Sequence, residues 1–442
     1  MLTIFGRAEN MRNIFTRIEH NNYLPQGTKG HGFDGWFQTQ MLGGQPIETA
    51  QRAPASPITQ AMAKMLGLDL EAVPKLVTQD PNFLAADRDT TESIYGLANH
   101  QRSNGQRYSS RDYILDTLNS MDIPLTLSVN SLATRVLFDT SKVKGGGNPI
   151  ATGVEYLQGK SVYEADPRRG PGSKGTKKTA TARREVILSG GCFNTPQLLM
   201  LSGIGPAKHL AEFNIDVLID APGVGASLMD NQEMPIVGTT KQSPGFGNTG
   251  IVMMQTDHAP YDERDVFLMH GPYAFRGFWP SNQTNSLPPE AQGTYGVSIV
   301  KQHPVNRAGY VKLKSADPTD APDINFNLYV EGWDTDMAAM KDAVAWVRRM
   351  YREVDAPTGP VTPREPPCPS GIKEDGYCTD EKEDEAWIIA QTFGHHPTST
   401  ARIGADDDPM AVLDSKFRVR GVDSLRVVDA SAFARSKYRI PR

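Results

Sequence analysis

Small and apolar residues recur at helical spacing through residues 56–72, around Ala61-Met62-Ala63-Lys64-Met65, and predict a helix there. A second helix is predicted after Gly105-Gln106-Arg107-Tyr108-Ser109-Ser110, with apolar Tyr113, Ile114 and Leu118 one turn apart. The period then changes to two. Leu125-Thr126-Leu127-Ser128, Ala133-Thr134-Arg135-Val136-Leu137-Phe138 and residues 151–157 read as strands, the last two separated by a turn in Lys144-Gly145-Gly146-Gly147-Asn148-Pro149. Glu185-Val186-Ile187-Leu188-Ser189 reads as a buried strand of parallel type. It runs into the turn Gly190-Gly191 and then a helix opened by Asn194-Thr195, with Pro196 at its first position and Gly203 and Gly205 closing it. Residues 240–330 are strand-like and aromatic: Phe267, Tyr273, Phe275, Phe278 and Trp279 gather before Tyr310-Val311-Lys312-Leu313. Residues 356–383 are Pro-rich and charged and read as a loop or linker. No solenoid repeat shows.

This mixture of strands and helices places the chain in the α/β (α+β) class. Its 442 residues correspond to about 2–4 domains or one large two-domain unit. A hydrophobic content of 38% and an aromatic content of 8% suffice for a sizeable core and exclude bulk disorder. A net charge of −5 gives no reason to expect a nucleic-acid partner. No apolar run approaches the ~20 residues of a membrane span, and Met1 to Arg7 lack the organisation of a signal peptide. The basic stretch 166–184 has no interleaved aromatics and reads as a solvated hairpin extension. Of three cysteines, Cys368 and Cys378 bracket a Pro/Gly-rich loop and either pair in an oxidising compartment or stand as two free thiols; no Cys-x-x-Cys pattern is present and no metal site is expected. The sequon Asn282-Gln283-Thr284 decides nothing about secretion, so localisation stays open.

Two segments carry candidate chemistry. At Gly190-Gly191, a strand-to-helix turn without side chains lets a flat or anionic ligand approach the backbone, with helix N–H groups facing it. Near the C-terminal end, Gly394-His395-His396-Pro397-Thr398-Ser399-Thr400 is followed by Leu425-Arg426-Val427-Val428-Asp429-Ala430-Ser431. An alcohol gives up a hydride only as its hydroxyl proton leaves, and a histidine, with an unperturbed pKa of ~6.5, is suited to take that proton. Gly30-His31-Gly32-Phe33-Asp34-Gly35 satisfies a G-x-G-x-x-G string, but no strand precedes it and no small-residue helix follows, so it is rejected as a phosphate loop.

The histidine segment with Asp429-Ala430-Ser431, and the run Asn194-Thr195-Pro196-Gln197-Leu198-Leu199-Met200-Leu201-Ser202-Gly203-Ile204-Gly205, resemble the signatures of the glucose-methanol-choline (GMC) flavoprotein oxidoreductases. Pro222-Gly223-Val224-Gly225-Ala226-Ser227-Leu228-Met229-Asp230-Asn231 is also similar to the family, with Asn231 where a histidine is usual, and Gly309 to Pro318 resemble a strand and turn of its substrate domain. The resemblance implies FAD as cofactor and a small-molecule alcohol as substrate, with the hydride passing to the flavin. It implies His396 as the catalytic base, with His395 at a position usually aromatic, and Ala133, Gly191, Asp429 and Ala430 as cofactor-binding positions. It further implies a discontinuous FAD-binding domain over 125–235 and 384–442, and a substrate domain with connecting segments over 1–124 and 236–383, its sheet mostly antiparallel. The family's first βαβ unit, with its glycine-rich loop and ribose-binding acid, is not found here. Nor is the second active-site His or Asn beyond Asp429, where Ser436 to Arg442 depart from the pattern. The expectation is therefore a chain truncated at both ends. Its alternatives to alcohol oxidation are an inactive homologue and non-redox lyase or cyclase chemistry with His396 as base. Substrate identity, electron acceptor and oligomeric state are left open.

Overall fold

The computed structural model describes residues 8–41, 44–242, 250–277 and 290–434. Phe278, Trp279, the Asn282 sequon and the 436–442 segment lie outside them. Two hydrophobic cores organise the rest. The first lies on a six-stranded antiparallel sheet whose strands run, edge to edge, Thr362–Glu365, Glu233–Thr239, Thr294–Lys301, Val266–Gly271, Ile251–Met254 and Ser93–Tyr95. Glu233–Thr239 pairs with Thr294–Lys301 in unbroken register from Glu233 opposite Val300 to Thr239 opposite Thr294. These central strands are buried along almost their whole length because helix Ala338–Arg352 packs on the sheet through Met340, Val344, Val347 and Tyr351. The Tyr351 hydroxyl, fully buried, donates towards the carbonyls of Tyr295 and Ile236. Helix Pro57–Met65 adds Ile58 and Met62 to the same core. Ser56 caps it by accepting from Thr59 N, and Pro57 occupies a first-turn position where no N–H is needed.

The second core is built around a short parallel pair, Val186–Leu188 with Leu425–Val427, and helix Gly191–Leu201, which contributes Leu199 and Met200. Ser131–Asp139 and Ile150–Gln158 form a hairpin extended by Thr176–Thr181, every residue of which is exposed, in keeping with a solvated extension. A separate three-stranded sheet joins Ala226–Leu228, Gly309–Lys312 and Asp323–Asn325.

Several sequence expectations need correction. The helix expected over 56–72 ends at Met65, and a 3₁₀ turn, Leu70–Ala72, and a one-turn helix, Val73–Leu76, follow. Pro196 is not at the start of its helix but inside it, because the helix begins at Gly191. A proline there frees the carbonyl four residues earlier, that of Cys192, and the Thr400 hydroxyl donates to it at 2.8 Å. Residues 125–128 lie in no strand. The alternating apolar side chains Met121, Ile123, Leu125, Leu127 and Val129 all stand exposed, as do Ile187 in the parallel pair and Val428 just after it. The helix Ser110–Ser120 forms where expected, yet buries no residue; Tyr113 instead stacks on Trp36, with ring centroids 4.5 Å apart. The Pro-rich segment contains the edge strand Thr362–Glu365 and a Cys368–Cys378 disulfide, which decides between the two states left open for these thiols. Gly30 to Gly35 lie in a loop leading to strand Phe37–Met41 and not to a helix, as the rejection of the phosphate-loop reading requires.

Candidate active site

Asp429 lies two residues past the end of the Leu425–Val427 strand and joins three pieces of chain. Its Oδ2 accepts from Gly191 N at 3.0 Å and from the Thr195 hydroxyl at 2.6 Å, while its Oδ1 accepts from Ser431 N at 2.8 Å and from the Ser431 hydroxyl. One carboxylate thus caps both the Gly191–Leu201 helix and the 3₁₀ turn Ala430–Ala432, satisfying N–H groups that a helix start leaves without partners. Gly191 has φ +79°, a left-handed value that a side chain disfavours, and a Cβ built there would meet nothing within 4 Å. The glycine therefore serves the backbone turn and leaves open space on its outer side, the property a flat ligand approaching the helix start requires. Next to it, the Cys192 thiol donates to the Pro397 carbonyl at 2.8 Å; burial pushes this thiol up to about 12, so it keeps its proton and its donor role.

The same junction receives the histidine loop. Ser399 N donates to the Ala430 carbonyl at 3.2 Å and Ala401 N to that of Ser431 at 2.9 Å, so the loop lies along the Asp429-Ala430-Ser431 turn. At its other end Phe393 and Glu233 exchange backbone hydrogen bonds, both 2.9 Å, which adds the loop to the first residue of a central strand of the large sheet. Gly394 is required for contact reasons: a Cβ there would lie 2.5 Å from the Asp230 carboxyl. Asp230 Oδ1 accepts from His396 N at 2.8 Å and so sets the backbone that presents the ring.

Four ionisable side chains meet here. The His395 and His396 rings lie 3.9 Å apart, and His395 Nδ1 is 3.2 Å from Glu233 Oε2. The other oxygen of Glu233 accepts from the Ser298 hydroxyl at 2.7 Å. Phe275 and Phe393 flank His395 with ring centroids 6.3 and 5.9 Å away. Burial raises the Glu233 carboxyl above its ordinary range, and burial, reinforced by the Glu233 charge, raises Asp230 to about 7. Both imidazoles are lowered, chiefly by burial and, for His396, also by the nearby His395. Both rings are consequently neutral at pH 7, and a neutral imidazole has a lone pair with which to accept a proton.

Of the residues singled out from sequence, His396, Gly191, Asp429 and Ala430 come together at this junction, and Ala133 makes none of its contacts. Ala133 is exposed on the Ser131–Asp139 strand, opposite Tyr156. The sequence reading assigned no role to Glu233, and to Thr195 only that of opening its helix. A signal for Glu233 was present, a lone acid opening the apolar run Met234-Pro235-Ile236-Val237. The bond of Thr195 to Asp429 gave none, since the two lie 234 residues apart.

Family models described as GMC oxidoreductase match residues 11–233 and 304–438. The chain belongs to the GMC oxidoreductase family. An oxygen-dependent choline dehydrogenase of Rhizobium etli is 29% identical over 454 residues, covering 96% of this chain and 70% of that protein. Choline oxidase of Arthrobacter globiformis is 35% identical over 295 residues, covering 64% of this chain but 50% of its own length. A formate oxidase of Aspergillus oryzae superposes with a TM-score of 0.69 at 20% identity, covering 96% of this chain and 74% of that one, and shows the same GMC fold. Among the described residues no helix is long and apolar enough to cross a membrane.

Proposed function

We propose that this GMC chain binds FAD and oxidises a small-molecule alcohol at the junction of Gly191, His396 and Asp429. The observation that carries the reading is the neutral, exposed His396 ring, whose backbone is held by Asp230 and whose neighbour Pro397 is bonded to Cys192, the residue next to the open turn at Gly191. FAD, when bound, supplies the hydride acceptor. Gly191 and Ala430 would hold it through backbone that approaches closely, Asp429 by shaping both helix starts, and Ala133 at the outer end of the cofactor. His396 accepts the hydroxyl proton as the substrate C–H bond is broken. Asp230 keeps the ring's backbone in place, and Phe275 with Phe393 shields the histidines from water on one side. In this reading residues 125–235 with 384–442 form the cofactor side, and 1–124 with 236–383 the substrate side and its connections.

The fit of the residues to the flavin is supported by the open space at Gly191. A second reading, a cofactor-free homologue, is favoured by the exposed apolar row from Met121 to Val129. The purified chain, incubated with FAD and gel-filtered, is expected to retain flavin absorbance that bleaches with an alcohol, and His396→Ala to retain the flavin without bleaching. Folded protein that retains no flavin overturns the proposal in favour of the second reading. Product formation without bleaching would replace it with lyase or cyclase chemistry.

A further inference from the structure

We infer that Glu233, His395 and His396 form a binding site for a divalent metal ion of the zinc type. Each of the three side chains offers one ligand atom, and these atoms all lie within 4.8 Å of one another. The pair His395 Nδ1 and Glu233 Oε2 is already 3.2 Å apart, close to the ~3.3 Å edge of a tetrahedron with bonds of ~2.0 Å. Two imidazoles and one carboxylate are the donor set that zinc takes when a fourth position stays open to water. From sequence no metal site is expected: a His-His pair by itself suits a structural role or a weak metal site, and Glu233 supplies the third ligand that the sequence does not place beside it.

Three further features support a cation here. Glu233 Oε2 is buried and accepts no hydrogen bond in normal geometry, and Oδ2 of the equally buried Asp230 is in the same condition. Two carboxylates held out of water side by side are poorly compensated, and a bound divalent cation offsets both. That oxygen is also aimed: Ser298 donates to Oε1 and leaves Oε2 facing His395, the outer-shell arrangement that orients a ligating carboxylate. Finally, the histidine loop is pinned on both sides, by the Phe393–Glu233 backbone pair and by His396 N to Asp230, so the ligands approach from rigid backbone. The other grouping of candidate ligands among the described residues, Cys368, Cys378 and Glu383, has its sulfurs tied up in the disulfide. An ion at the proposed site would engage His396 and exclude it from accepting a proton, so metal binding and the alcohol chemistry compete.

The test is direct metal binding to the whole chain as isolated and freed of metal by chelation, with no activity readout. Zn²⁺ is titrated calorimetrically and Co²⁺ by its visible d–d absorption against the metal-free protein. One site per chain is expected, with cobalt bands of a low-coordinate nitrogen/oxygen site. His395→Gln and Glu233→Gln should each weaken Zn²⁺ binding by more than the ~10–100-fold cost of losing an outer-shell partner. His258→Gln, at an exposed histidine paired with Asp342, should leave it unchanged. Circular dichroism establishes that each variant is folded, and Ser298→Ala, which leaves all three ligands in place, should give a smaller loss of affinity. Absence of cobalt bands in the folded wild-type protein overturns the inference. So does Zn²⁺ binding that persists undiminished in folded His395→Gln and Glu233→Gln.

Discussion

Replacing Asp429 by alanine tests the junction on which the whole candidate site rests. The carboxylate accepts from Gly191 N–H, Thr195 O–H, Ser431 N–H and Ser431 O–H. Two of these donors are helix-start amides, whose loss of a cap costs ~0.5–2 kcal/mol each. The two hydroxyls can turn elsewhere, and each bond is worth ~0.5–1.5 kcal/mol net. Asp429 is only half-buried, so water recovers part of the sum, and the expected loss for Asp429→Ala is about 2–4 kcal/mol. Thr195→Val removes one of these bonds together with the acceptor of Gly190 N–H and should cost about 1–2 kcal/mol. Asp429→Asn should fall between them, because its one amide oxygen can serve either the Gly191 and Thr195 donors or those of Ser431, and its NH₂ then faces the other pair. Guanidinium unfolding followed by tryptophan fluorescence, on all three variants, measures this order. A folded Asp429→Ala protein within ~0.5 kcal/mol of wild type, the range of an ordinary surface substitution, would refute the claim that this carboxylate holds the two helix starts together.

Two further outcomes are expected. Arg348 is fully buried and forks onto both oxygens of Asp384 at 2.8 and 3.1 Å while also donating to the carbonyls of Pro366 and Gly376; Arg348→Met should destabilise by about 3–5 kcal/mol by stranding the carboxylate. The double variant Arg348→Met, Asp384→Leu should recover most of that loss in the same unfolding assay, and equal losses in the two would contradict the explanation. His31 bridges Asp80 at 2.8 Å and Glu19 at 3.1 Å; its hydrogen bonds to those two carboxylates raise it to about 9, while Glu19, despite its burial, is held at about 2 by His31, Gly32 and other donors. The imidazolium's contribution is complete below its unfolded value of ~6.5 and disappears as pH rises through about 9. That of Glu19 is complete above its unfolded value of ~4.3 and drains as pH falls towards 2. His31→Gln should therefore flatten the alkaline limb of the stability profile between those two histidine values, and an unchanged slope there would count against the bridge.

What could be read from sequence was whatever one stretch of chain settles by itself. Val186 to Leu188 form a strand, Gly203 closes a helix and Gly191 turns with positive φ, all from local geometry. The position of Pro196 was misread because the helix can begin five residues earlier only if Thr400, 208 residues from Cys192, supplies the missing donor. The helix Ala338–Arg352 was not anticipated, since Arg348 breaks its apolar pattern on the buried side. Nothing nearby in sequence announces that Asp384 will neutralise that arginine. In the site, His396 and Asp429 were legible through their motif wording, whereas Glu233 reaches them only through the pairing of Phe393 with a sheet strand. The alternation of Leu125 and Leu127 was real, but alternation reports a conformation and not the presence of a neighbour to pair with.

The bond between Gly191 and Asp429 also sets a timetable for synthesis. Those residues are separated by 238 positions, and a ribosome adding ~5–20 residues per second needs about 12–48 s to pass from one to the other. During that interval the Gly191–Leu201 helix start has no cap and Val186–Leu188 no parallel neighbour, while five of the six strands of the large antiparallel sheet are made, the last of them, Thr362–Glu365, well before Asp429. The nascent chain thus completes its later-encoded half first and carries an unfinished earlier half through the remainder of translation. Codon usage and chaperone supply between these two points would then influence yield more than the same changes elsewhere in the message.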